Sequence, residues 1–159
     1  MGGARRAARG PVTETELGTV GLATCADNFG SSLAIGHVLA RMGAQLILSP
    51  SAWAVDADHD NEHEPYGKLW LDSYSELARL YDVTVIGVSN VGRLTAGPWE
   101  GRKVIGCSLA IGPGGAVRAR GPYGEHAEAL VVVEVETLPP IGRGAQIAVV
   151  LEARGYRGP

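Results

Sequence analysis

Apolar and polar positions fall in blocks along this 159-residue chain, and the period changes from block to block. GTVGLATC (Gly18–Cys25) is short, apolar and β-branched, which predicts a buried strand. SLAIGHVLARMG follows, with Leu33, Ile35, Val38, Leu39 and Met42 largely on one helical face. Ser31 or Ser32 can cap this helix, and Gly43 stands just after its last turn. AQLILSPSAW predicts a second buried strand, stopped by Pro50. VDADHDNEHEP is polar throughout and reads as a loop. From Tyr66 the apolar positions Leu69, Trp70, Tyr74, Leu77 and Tyr81 return at helical spacing. VTVIGVSN (Val83–Asn90) predicts a third strand. VIGCSLAI, AVRARG and ALVVVEVE predict three more, with Gly112–Gly115 as a tight turn between the first two.

The order is strand, helix, strand, helix, strand, then three strands. Its first part favours right-handed β-α-β crossovers and a parallel sheet, and its last part favours antiparallel hairpins. The fold class is therefore α/β: one mixed sheet with helices on one face. Strands that are apolar on both sides leave the opposite face in need of a covering layer. Residues 1–16 carry no period and read as a loose arm, 17–138 as the domain, and 139–159 as a tail.

Composition narrows the function classes. A hydrophobic fraction of 45% with 19% charged residues describes a globular chain. A net charge of −3 gives no basic excess for nucleic acid or an anionic membrane. Apolar runs such as Ala129–Val133 are too short to span a bilayer. MGGARRAARG is basic but has no apolar stretch behind it, which argues against a secretory leader. Two distant cysteines, Cys25 and Cys107, leave one disulfide possible and fit a reduced, cytoplasmic protein.

Candidate chemistry centres on Cys25, at the end of an apolar run and ahead of a helix. A thiolate there is favoured by the helix dipole and by unpaired N–H groups, which can also receive an oxyanion. On composition alone a buried packing thiol is the commoner outcome. Other motifs resolve into ordinary structure. His59–His63 matches H-x-x-E-H, but it lacks the apolar stripe of a metal-binding helix and reads as a solvated loop. Asp56, Asp58 and Asp60 fail the calcium-loop pattern, with Asn61 at the glycine position and Gly67 at the glutamate position. GPGGAV lacks the Lys-Ser/Thr of a phosphate loop. Cys107 is expected to be a buried strand residue, His37 a packed or surface histidine, and His126 to have no partner.

The wider pattern resembles the nucleophile region of the nitrilase superfamily, the carbon–nitrogen hydrolases. The resemblance rests on Gly21, Cys25, Asp27, Phe29, Gly43, Ala44 and the run Pro50–Trp53. Downstream, Asn90 with Gly92 and then Gly106, Ser108, Pro113 and Gly115 continue it in order, across roughly Leu17 to Thr137. The resemblance implies the C-terminal half of an α-β-β-α sandwich. It implies hydrolysis of an amide, nitrile or carbamoyl C–N bond by a Glu-Lys-Cys set, through a thioester or thioimidate. Carried over, Cys25 is the nucleophile and the Ala26 N–H an oxyanion donor. Asp27 and Asn28 shape the turn, and Asp27, Asn28 and Trp53 border the substrate pocket. No metal and no organic cofactor are implied. The partners implied are a small-molecule amide or nitrile and further copies in a homo-oligomer, associated through outer helices.

In the family the glutamate and lysine precede the cysteine by a wide margin. Here 24 residues precede Cys25; they include Glu14 and Glu16 but no lysine, and Lys68 and Lys103 both lie downstream. The expectation is therefore a chain missing the N-terminal half, whether as a fragment, a degenerate copy or half of a split enzyme. The alternative function is a non-catalytic half-domain acting as an interaction or assembly subunit.

Overall fold

The structure is a computed structural model that describes residues 12–29 and 33–138. Ser31 and Ser32, the first eleven residues and the 139–159 tail lie outside the described residues. β1 (Val12–Thr15) and β2 (Gly18–Leu22) form an antiparallel pair. α1 (Leu33–Arg41), β3 (Leu46–Ser51), a short β4 (Ala54–Val55), α2 (Gly67–Tyr81) and β5 (Thr84–Ser89) follow. β6 (Val91–Arg93), β7 (Lys103–Ile105), β8 (Leu109–Ile111) and β9 (Val117–Arg120) complete the order. The main sheet runs β1-β2-β3-β5-β8-β9; β2, β3 and β5 are parallel, and the rest pairs antiparallel. The mixed α/β sheet of the sequence reading is present, with β1 added from within the expected arm.

Both helices pack on one face. Gly21 faces Leu39 of α1, and Gly87 faces Tyr74 of α2, where an added Cβ would meet the tyrosine ring at 2.3 Å. Trp70, Tyr74, Leu77 and Tyr81 are buried, as their spacing predicts. Each such side chain contributes on the order of 1.5–3 kcal/mol. α1 departs from its prediction. Its buried positions include Gly36, Leu39 and Ala40, while Ile35, Val38 and Met42 are exposed. The cause is the small residue at 36, which lets Leu77 approach so closely that a Cβ there would stand 2.6 Å away.

Three further expectations are corrected. β3 runs through Pro50, which pairs with Val88. The Leu48 carbonyl accepts from Ala23 N–H at 3.1 Å, so Pro50, two residues on, turns its nitrogen to the same side, beyond the end of β2. The single strand predicted over 104–111 is two. Gly106 (φ 71°) and Cys107 (φ 59°) break it, sending β7 into a small sheet, β4-β7-β6, and β8 into the main one. Cys107 therefore sits at a junction and not within a strand. Residues 129–136 form no strand and pair with none among the described residues. They cross the face opposite the helices as a strap. Val131 and Val133 lie against Ile86, Val88, Ala110 and Ala119, and Thr84 Oγ1 donates to the Glu136 carbonyl at 2.6 Å. Among the described residues, no helix is long and apolar enough to cross a membrane.

Candidate active site

The carboxyl ends of the parallel strands bring the sequence-predicted residues together. β2 ends at Leu22, Ala23 continues beside β3, and Cys25–Asn28 coil into a single 3-10 turn. Cys25 enters that turn at φ 45°, in the left-handed region that a side chain other than glycine occupies at a cost of about 1–2 kcal/mol. Strand-to-helix turns with a strained central residue hold a side chain up at the sheet end. The Cys25 thiol is free and half-buried, packed at the edge of the core.

The rest of the turn fixes this conformation. Asp27 Oδ2 accepts from the Thr24 N–H at 2.9 Å, and the Thr24 carbonyl accepts from the Asp27 N–H at 2.9 Å. Asn28 is buried, and its Nδ2 donates to the Ala23 carbonyl at 2.8 Å and to Ser49 Oγ at 2.9 Å. Ser49 in turn accepts from the Tyr74 hydroxyl at 2.8 Å. The Cys25 turn is thus tied to β3 and α2 by buried bonds, each worth about 1 kcal/mol net. Ser49 and Tyr74 are the supports that the sequence reading missed. The signal for Ser49 was a lone hydroxyl inside the apolar run LILSPS.

Aromatic rings form the floor. Phe29 stacks on Trp70 at 4.8 Å, and Trp70 on Trp53 at 4.5 Å, nearly parallel. Trp53, expected beside the pocket, is fully buried in this stack, so it supports the site from beneath. Tyr66 is half-buried at the foot of α2, edge-on to His59 at 6.1 Å. Burial first, and the nearby Cys25 thiol in addition, push the Tyr66 and Tyr74 hydroxyls above the ordinary phenol range.

The other candidates have partners of their own. Cys107 is half-buried beside Gly67, at the mouth of a groove that also reaches Lys68 and Arg120. Burial pushes its thiol up. Lys68 pairs with Asp72, and Lys103 Nζ donates to the His59 carbonyl at 2.8 Å. His59–His63 forms turns, with His63 exposed on Asp60. His37 Nδ1 meets the Tyr81 hydroxyl at 2.6 Å, and His126 is paired with Glu125 at 3.5 Å, a partner the sequence did not reveal.

A strained cysteine between a parallel strand and a short turn, with helices on one face of a mixed sheet, describes a known architecture. No family model matches the chain, and no curated protein matches its sequence. Solved structures do match. A carbon–nitrogen hydrolase from Helicobacter pylori G27 superposes with TM-score 0.66 at 20% identity, over 92% of this chain and 48% of that one. A nitrilase-superfamily amidase from Nesterenkonia AN1 gives 0.61 at 23%, over 92% and 47%. Saccharomyces cerevisiae Nit3, of branch 10 of that superfamily, gives 0.53 at 23%, over 72% and 37%. The fold is that of the carbon–nitrogen hydrolases. The chain spans about half the length of the first two structures and less of the third.

Proposed function

We propose that this chain is the nucleophile-bearing half of a carbon–nitrogen hydrolase, acting on a small amide or nitrile through Cys25. The observation that carries the reading is the left-handed backbone at Cys25, at the end of a parallel strand in a carbon–nitrogen hydrolase fold. Strain of this kind persists only where surrounding bonds impose it, and the Asn28–Ser49–Tyr74 chain supplies them. In the proposed reaction the thiol loses its proton to a base, and the thiolate attacks the amide carbon. The Ala26 N–H, on the first turn, receives the oxyanion. Ammonia or an amine leaves, and water releases the acid from the thioester. Asp27 and Asn28 hold the turn at the pocket edge. The reaction draws on no metal and no organic cofactor.

The base and the oxyanion lysine are the groups we do not assign within these 159 residues. Both lysines are engaged downstream, on Asp72 and on the His59 carbonyl. Each missing group costs about 10²–10⁴-fold, so the purified chain should release little or no ammonia from simple amides. Alkylation needs no turnover. A glutamate-to-leucine variant of the Nesterenkonia amidase carries the acetamide moiety of fluoroacetamide on its active-site cysteine. The same reagent should therefore place its acetamide moiety on Cys25 of this chain, with no adduct on Cys107 at equal exposure. Peptide mapping of the treated protein checks this. An adduct on Cys107 alone, or brisk ammonia release that survives Cys25→Ala, contradicts the proposal.

A further inference from the structure

The N-terminal turns of α2 and the β8–β9 pair border a groove of about 440 Å³, within the range of roughly 300–1,000 Å³ that holds small ligands. Register decides what lines it. Leu109 pairs with Arg120, so both side chains stand on the helix face, while Ala110 and Ala119 turn to the strap. Leu109 is buried and forms the floor, and half-buried Leu71 of α2 forms the wall beside it. Lys68 and Asp72 line the rim one turn apart, and they neutralise each other as an ion pair. Arg120 is left over. Among the described residues it has neither a carboxylate nor a hydrogen-bond acceptor. Arg118 stands on the same face, about 6.8 Å back along the strand, and has no carboxylate either. Two like charges so placed repel, and an anion relieves them. The charge of Arg120 also reaches the inner end of the groove. Burial pushes the Cys107 thiol up there, and Arg120 is the charge that works against it.

We propose that this groove binds an aliphatic carboxylate, its head on the Arg120 guanidinium and its chain along Leu71 and Leu109. A guanidinium offers paired N–H donors that match the two oxygens of a carboxylate. The apolar floor and wall select the chain, since each CH₂ removed from water strengthens binding up to about fourfold. Free phosphate meets the same guanidinium but has nothing to lay on the floor. Edge strands also carry charge to keep other strands away, but that role needs no groove and prefers no anion over another. Neither Cys25 nor any other residue of its turn lines the groove, so the site does not depend on the reaction proposed for Cys25.

The test is titration of the full chain with hexanoate, read at the backbone amides by nuclear magnetic resonance. Hexanoate should shift the amides of Gly67, Lys68 and Gly121, which line the groove, and leave that of Ala26 in place. Hexanol has the chain without the charge, and inorganic phosphate the charge without the chain. Each should bind at least about fivefold more weakly than hexanoate. Arg120→Met keeps the stem and removes the charge, and should weaken hexanoate binding at least about tenfold. Arg118→Met, outside the groove, should weaken it at most about threefold, the effect of a charge at that distance in water. No shift at the groove amides up to about 50 mM hexanoate overturns the proposal. So do shifts confined to the Cys25 turn, a control probe that binds as tightly as hexanoate, or an affinity that Arg120→Met leaves intact. Should Arg120→Met fail to fold, the wild-type shift map and the three probes still decide.

Discussion

Cys25 holds a torsion that a cysteine adopts at a cost, and the cost can be measured apart from the chemistry. At φ 45° glycine is unstrained and alanine is not. Cys25→Gly should therefore be more stable than Cys25→Ala by about 1 kcal/mol, although both lose the thiol. Denaturant unfolding of the pair checks it; equal midpoints would mean that the turn relaxes to an ordinary conformation. A residue that destabilises its own fold is what a functional position is expected to be. Much of this was legible in the sequence. The apolar run, the break after Cys25 and the Asp-Asn pair announce a turn. The sign of φ was not legible, because it is imposed through Asn28 by buried bonds from Ser49 and Tyr74, 21 and 46 residues further along the chain than Asn28.

At the scale of elements, α1 shows where periodicity misleads. Apolar positions run most of the way around it, so hydrophobicity alone does not choose the buried side. Gly36 chooses it, by admitting Leu77. Gly36→Ala should consequently destabilise the protein. An overpacking cost of about 1–3 kcal/mol exceeds the gain of up to about 1 kcal/mol in helix propensity. A raised melting temperature in that variant would show that the helices separate freely. The same contact holds a titratable pair. Burial first, and the neighbouring Arg41 charge second, hold His37 below its ordinary value near 6.5. The folded state therefore disfavours the protonated ring. Stability from this group is present above pH 6.5 and is lost as pH falls below it towards the folded value. The melting temperature should drop between pH 7 and 5, and drop less in His37→Gln; identical pH profiles would remove His37 from the account. Strand breaks were less visible than helices for a related reason. Gly106 and Cys107 turn left-handed because β7 and β8 belong to different sheets, and sheet membership is a long-range property.

At the scale of the whole molecule, the order of elements was readable because β-α-β crossovers allow few topologies. The strap was not, since ALVVVEVE has a strand's composition and no strand beside it among the described residues. Its pattern is that of a layer waiting for another, and the open face beneath it belongs to the same description. The Cys25 turn stands at one end of this half-covered sheet, held by Ser49 and Tyr74, with no base or oxyanion lysine assigned. That arrangement predicts a thiol that is reactive because of the fold, and that is the central claim. The direct measurement is the rate of acrylamide addition to Cys25 relative to Cys107, followed by mass spectrometry in native buffer and again in denaturant. Acrylamide adds to the active-site cysteine of a glutamate-to-glutamine variant of the Nesterenkonia amidase. The account predicts a native ratio of at least about tenfold in favour of Cys25, with Cys107 held back by its burial, collapsing towards one on unfolding. A native ratio of one or less would contradict it and leave Cys25 a packing residue at the end of a strand.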